Sequence, residues 1–347
     1  MEEAIESGTV AGGVVAVGTR TGVFLQKAYG NLSSEPGAEP LREDAVFDVA
    51  SLTKVLATAP VIVLLAEEGR IGLSDPVVRW LPELRGGGKE KIRVIDLLTH
   101  GSGLSDREVP SSIEGLLGAL AGRRVRGPTG TRFRYADVNF VLLGEIARRA
   151  GGARLDELAR RAVYEPLGME ETTFLPTPAA TSRCAPTLGD RGRWSAGTVQ
   201  DPTARRLGGV AGHAGLFTTA GDLALFCRMM LSGGTLEGRR VLSEQSVGRM
   251  TSPTSLDGGA VTRGLGWDIS SPYSAPRSGF GGRSYGHTAY SGASVWLDPA
   301  ADRFVVLLTA RVNYREPRRL NALRAAISEV AARLAPGERP ALGDAER

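Results

Sequence analysis

Phe47-Asp48-Val49-Ala50-Ser51-Leu52-Thr53-Lys54 is the stretch on which the rest of the chain turns, and an apolar run from Val55 to Ala66 follows it. It reads as a short strand or turn that delivers a serine to the start of a helix, with a lysine one turn further on. Residues three apart share a helix face, so the Ser51 hydroxyl and the Lys54 amine are expected to meet. A serine in the first turn also places its own N–H among the unpaired amides at the positive end of the helix. Four residues thus offer a nucleophile, a base and an oxyanion donor. Ser-x-x-Lys alone is a weak pattern that arises by chance, but lysine is scarce here. Only Lys27, Lys54, Lys89 and Lys91 are present among 42 lysines and arginines. Arginine keeps its proton near neutral pH, whereas a buried lysine can release it.

Composition bounds the rest. The 347 residues are 42% hydrophobic and 23% charged, as in a soluble globular enzyme of one large domain or two lobes. The net charge of +4 comes from arginine pairs (Arg123-Arg124, Arg148-Arg149, Arg318-Arg319) scattered among acids, which reads as solvated faces and not as a nucleic-acid stripe. Cys184 and Cys227 have neither metal-ligand spacing nor a disulfide framework. His100, His213 and His287 stand too far apart for a zinc motif, so no metal and no cofactor are expected. No apolar run is expected to reach the ~18 residues of a membrane helix. The acidic, amphipathic start at Met1 to Glu6 is not a signal peptide. The expected location is cytoplasmic, or periplasmic or secreted if an export signal has been removed.

Periodicity orders the elements. A short helix over 2–7 precedes a hairpin of Val14 to Gly18 and Gly22 to Tyr29. Interrupted helices fit 74–85, and a helix over Ile92 to Leu98 leads into a glycine-rich loop. Ile113 to Leu167 has helical period, 175–215 is loop-rich, and helices return over Ala220 to Ser232 and near Ser243 to Thr251. Strands are expected at Trp267 to Ile269, Ala293 to Leu297 and Phe304 to Thr309, and a closing helix at Arg318 to Leu334. Strands at both ends with helices between predict an α/β fold: an α/β lobe from about 1–60 and 262–347, and a helical lobe over about 61–261, within one catalytic domain. A cleft between the lobes is the expected site.

Two further motifs join Ser51-x-x-Lys54. Tyr135-Ala136-Asp137 precedes the helix Val138 to Ala150, and Gly286-His287-Thr288-Ala289-Tyr290 is expected to precede a strand. Together they resemble the three motifs of serine β-lactamases and penicillin-binding proteins, nearest to class C β-lactamases and family VIII esterases. The resemblance extends through Leu97 to Leu104, Glu165-Pro166-Leu167-Gly168-Met169 and Gly215 to Leu223. It implies an antiparallel sheet flanked by helices with an inserted helical lobe. It also implies hydrolysis of a small ester, amide or peptide-like substrate through an acyl-enzyme, with no nucleic acid involved and oligomeric state left open. By the same resemblance Ser51 is the nucleophile, Lys54 takes its proton, and Tyr135 shuttles a proton to the leaving group. The N–H groups of Ser51 and Tyr290 form the oxyanion hole, and Thr288 binds substrate.

Two positions depart from the usual motifs. Asp137 stands where the second motif usually ends in asparagine, with Asn139 out of register. His287 stands where the third usually opens with lysine. A histidine with a reference pKa of ~6.5 is mostly neutral at pH 7.5, so carboxylate capture should weaken unless Arg311 or Arg319 compensates. Esterase or amidase activity is therefore expected over efficient β-lactamase or D-Ala-D-Ala carboxypeptidase activity. Gly208 to Phe217, behind Val199-Gln200-Asp201, is similar to a subgroup that includes amidases of muropeptide recycling. Gln200 departs from the histidine common there. Asp137 and His213 are expected near substrate, although His213 and His100 also suit the role of loop organisers.

Gly282-Arg283-Ser284-Tyr285-Gly286 matches the α/β-hydrolase elbow, but that fold needs an acid and then a histidine after the serine. Only His287 follows, so Ser284 is read as a decoy. A non-catalytic binding or sensor domain is the competing class, and it gives no reason for a Ser-Lys-Tyr set.

Overall fold

The computed structural model describes residues 1–106, 111–125, 127–188, 193–272, 274 and 277–334. Its frame is an eight-stranded antiparallel sheet. The strands are β1 (Val10–Thr19), β2 (Gly22–Gly30), β3 (Thr254–Leu256), β4 (Val261–Arg263), β5 (Asp268–Ser270), β6 (Tyr285–Thr288), β7 (Ser294–Asp298) and β8 (Arg303–Arg311). They lie in the order β2-β1-β8-β7-β6-β5-β4-β3. The two ends of the chain meet in the sheet, where β1 pairs with β8 from Val10 opposite Arg311 to Gly18 opposite Phe304.

Both of these strands are apolar almost throughout because both faces of the sheet are covered. On one face Val15, Val17, Val305 and Leu307 pack with Trp296, Leu320 and Leu323 under α1 (Glu2–Glu6) and α5 (Pro317–Arg333). On the other, Val14, Ala16, Val306 and Leu308 join the main core with Leu52, Val55 and Phe226. Alternate residues of one strand therefore feed two cores.

The Ser51 segment departs from a plain helix. Ala50–Leu52 is a 3₁₀ turn, Lys54–Thr58 a π-turn, and α2 (Ala59–Glu67) begins only after them. Pro60 has no N–H to offer the carbonyl of Leu56, so a regular ladder cannot run through this point. Ala50–Glu67 spans 18 residues with mean hydropathy 1.6, which corrects the expectation that no run is long and apolar enough to span a membrane. That segment is 78% buried inside the protein; it is apolar because it is the core helix of a two-sided fold.

The middle of the chain is helical, with α3 (Asp137–Gly151) and α4 (Ala220–Leu231) its longest helices. Two further differences concern strands. The 286–288 motif lies on β6 itself instead of ahead of a strand, and the sheet also takes in β3 and β4, from residue 254 to 263. These strands have three or four residues each, too few for alternation to show.

Candidate active site

Three elements bring the expected motifs to one cleft. The Ser51 turn, the entry to α3 and strand β6 line a cavity of about 820 Å³, together with Asp201, His213, Tyr290, Arg311 and Tyr314. Inside it, the Lys54 ammonium donates to Ser51 Oγ at 2.8 Å, and the Tyr135 hydroxyl donates to the same oxygen at 3.1 Å. Lys54 Nζ also donates to the His213 carbonyl at 3.2 Å and meets Asp137 Oδ1 at 2.8 Å. Two hydrogen bonds and one ion pair thus surround the ammonium.

That geometry fixes the charge of Lys54. The side chain is fully buried, and burial opposes its charge, but the Asp137 carboxylate and then Tyr135 more than offset this and hold the amine above its ordinary value. For Asp137, burial raises the carboxyl and the Lys54 charge overrides it, so its pKa is lowered. Asp137 is thus the counter-ion of Lys54 as well as a lining residue. A carboxylate in place of an asparagine amide converts a neutral contact into an ion pair.

Tyr135 is held by packing. The His100 ring stacks on it with centroids 4.4 Å apart, while His100 Nδ1 accepts the Ala136 N–H at 3.2 Å. Asn139 Oδ1 accepts from Ser102 Oγ at 2.6 Å, and its amide meets His100 Nδ1 at 3.1 Å. Asn139 is therefore part of the support behind the tyrosine. His213 Nε2 bonds Asp201 Oδ1 at 2.9 Å, and Asp201 also caps the helix Pro202–Arg206 through the Ala204 N–H. Asp201, a lining residue to which the sequence alone assigns no role, is held at about 2: burial raises it, and the bond from His213 more than compensates. Its signals in the sequence are the Asp-Pro pair at a helix start and its place in Val199-Gln200-Asp201.

Asp137, Asp201 and His213 offer ligand atoms within 4.8 Å of one another, a grouping that suits a cation. Lys54 Nζ already supplies a positive charge to it, at 2.8 Å from Asp137.

His287 lies on β6 facing the cavity and is buried. Burial, then the charges of Arg263 and Lys54, push it well below 6.5, so it is neutral at pH 7.5. Its Nδ1 donates to the Thr288 carbonyl at 2.8 Å. Thr288 lines the cavity beside it. Arg311 is 4% exposed: its guanidinium donates to the carbonyls of Asn313 and Tyr290 and lies 4.4 Å from the Tyr314 ring. It is a brace for the cavity wall. Arg319 pairs with Glu316 and the Ser7 carbonyl and is not among the residues lining the cavity. Tyr290, on the turn after β6, is the most exposed lining aromatic. Ser284 is fully buried and donates to the Gly281 carbonyl at 2.6 Å.

Comparison with known proteins agrees with this geometry. The β-lactamase family model matches residues 1–329. A putative D-alanyl-D-alanine carboxypeptidase of Salmonella schwarzengrund is 30% identical over 333 residues, covering 83% of this chain and 76% of the relative. An N-acetylmuramyl-L-alanine amidase of Bacillus subtilis is 31% identical over 360 residues, covering 89% and 80%. Among solved structures, EstCE1, a hydrolase with promiscuous acyltransferase activity, superposes with a TM-score of 0.76 at 20% identity, covering 93% of this chain and 96% of that one. A class C β-lactamase of Rhodobacter sphaeroides gives 0.75 at 20% identity, covering 94% and 96%. The chain belongs to the β-lactamase family of serine hydrolases.

Proposed function

We propose that this chain hydrolyses an ester or amide bond of a small peptide-like molecule through an acyl-enzyme on Ser51. The observation that carries the proposal is the convergence of Lys54 Nζ at 2.8 Å and Tyr135 OH at 3.1 Å on Ser51 Oγ. Both groups touch the nucleophile, and the Asp137 contact with Lys54 supports Tyr135 as the one that moves the proton. An ammonium paired to a carboxylate acts as a fixed positive charge, which supports Tyr135 as the proton relay: its oxygen accepts the serine proton as its own hydroxyl proton passes on toward the leaving group.

Ser51 Oγ then bonds to the substrate carbonyl carbon, and the N–H groups of Ser51 and Tyr290 receive the oxygen that becomes negative. The proton that Tyr135 releases goes to the leaving alcohol or amine as the carbonyl–heteroatom bond breaks, so the tyrosine keeps one hydroxyl proton. Water repeats the relay: Tyr135 accepts its proton and passes its own hydroxyl proton to Ser51 Oγ, while the hydroxide bonds to the acyl carbon and the bond from that carbon to Ser51 Oγ breaks. Lys54 keeps the developing anions within reach of one positive charge throughout.

The neutral His287 supports a substrate without a carboxylate at that position. The names of the carboxypeptidase and amidase relatives support a peptide-like one. The test is a panel of short-chain p-nitrophenyl esters, D-amino-acid amides, muropeptides and nitrocefin, each with a Ser51→Ala control. Turnover of a neutral ester or amide that Ser51→Ala abolishes is the expected result. Hydrolysis confined to nitrocefin would contradict the reading.

A further inference from the structure

Asp48 is a buried acid to which the catalytic steps above assign nothing. It lies three residues before Ser51, and its two carboxylate oxygens accept from two different segments. Oδ1 accepts the Ala50 N–H at 2.8 Å, and Oδ2 accepts the Gln200 N–H at 2.7 Å. Ala50 adopts φ +40, a left-handed conformation that a residue with a Cβ adopts at a cost and keeps only where its surroundings impose it. Gln200 precedes Asp201, the partner of His213, whose carbonyl in turn holds Lys54. One carboxylate thus ties the strained turn that presents the nucleophile to the loop behind its lysine.

We infer that Asp48 is a positioning residue for Ser51, which fixes the Ala50 turn and couples it to the Gln200–Asp201 loop. The inference rests on Ser51 being the nucleophile. An ionised carboxylate accepts both N–H groups, whereas a protonated one has a single free acceptor oxygen and turns its O–H toward one of the two donors. The clamp therefore opens on one side when Asp48 gains a proton. Burial raises Asp48 to about 6, against the lowering effect of the two N–H groups. The groups facing it are Asp201, which raises it further, Arg205, which lowers it, and Cys184 and Tyr314. Cys184 and Tyr314 are held at about 11 and about 12, mainly by burial, so neither titrates near pH 6.

Activity and stability should consequently run in opposite directions. The raised pKa means that the folded protein binds this proton more tightly than the unfolded chain. The stability that Asp48 contributes is full below the ordinary value of 3.8 and lost as pH rises through about 6. The positioning effect appears over the same rise.

The experiment measures the rate constant for phosphonylation of Ser51 by a fluorophosphonate, from pH 5 to 8, in wild type, Asp48→Asn, His213→Asn and Ser51→Ala, with circular dichroism as the check of folding. Wild type should lose rate on acidification with a midpoint near pH 6. Asp48→Asn, a permanent analogue of the protonated clamp, should be folded, pH-independent and about 10- to 100-fold slower than wild type at pH 8, the scale of a small misplacement of reacting groups. His213→Asn should keep the bend. A wild-type profile flat from pH 5 to 8, or Asp48→Asn retaining either the wild-type rate at pH 8 or the bend, overturns the inference, and the first of these needs no variant. Ser51→Ala that is still labelled overturns the assignment of the nucleophile instead, so the two failures are distinct.

Discussion

At the scale of single residues, the site turns on which group carries which charge. Lys54 sits in a place where burial alone would favour the neutral amine, and the Asp137 carboxylate, with Tyr135, reverses that. Lys54→Ala and Tyr135→Phe should each lower turnover by about 10²- to 10⁴-fold, the usual contribution of general acid–base groups, as read from kcat on a p-nitrophenyl ester. Asp137→Asn gives the sharper result. Removing the counter-ion lowers the proton affinity of Lys54, so a loss of kcat/KM on the alkaline side, absent from wild type up to pH 10, should enter the profile. An Asp137→Asn enzyme with a wild-type profile would show that Lys54 does not depend on this ion pair. His287 works in the reverse sense: burial and the charges of Arg263, Lys54 and Arg324 keep it neutral, and wild type should turn over neutral esters faster than penicillins at pH 7.5. Equal kcat/KM for the two would remove His287 as a selector against carboxylates.

At the scale of elements, the cleft depends on close approaches that glycine permits. A Cβ on Gly212 would lie 2.0 Å from the Phe140 carbonyl oxygen, so the 208–215 loop packs on α3 at backbone distance. Gly212→Ala must displace that loop, and with it the His213 carbonyl that holds Lys54. It should cost about 1–3 kcal/mol in thermal unfolding, as overpacking does, and reduce ester hydrolysis in parallel. This contact was not legible in the sequence, where Gly-His-Ala-Gly reads only as a loop. Nor were β3 and β4, or the lysine–aspartate pair, since residues 83 positions apart reveal no partnership by spacing. What could be read was local. Ser51 and Lys54 met because three residues separate them on a turn, and the β1–β2 hairpin and α5 carried enough alternation or helical period to be placed. Local pattern carries no sign of side chains from distant segments that share a charge, and Pro60 breaks a run that otherwise looks like an uninterrupted helix.

At the scale of the whole molecule, the ends of the chain close the sheet and the middle supplies the opposing wall of the cleft. β1 and β8 join residues near 10 with residues near 311, so the sheet that carries β6 is built from both ends of the chain. Leu308, fully buried at the centre of that pairing, should lose about 2–5 kcal/mol on truncation to alanine, and the helical segments should melt in the same transition as the sheet. The claim to which everything else answers is that Ser51, and not the buried Ser284, is the nucleophile. Mass mapping of the protein after a fluorophosphonate label measures this directly. The label should be found on the peptide containing Ser51 and be absent from that containing Ser284. A label on Ser284, or ester hydrolysis undiminished in Ser51→Ala, would contradict the account.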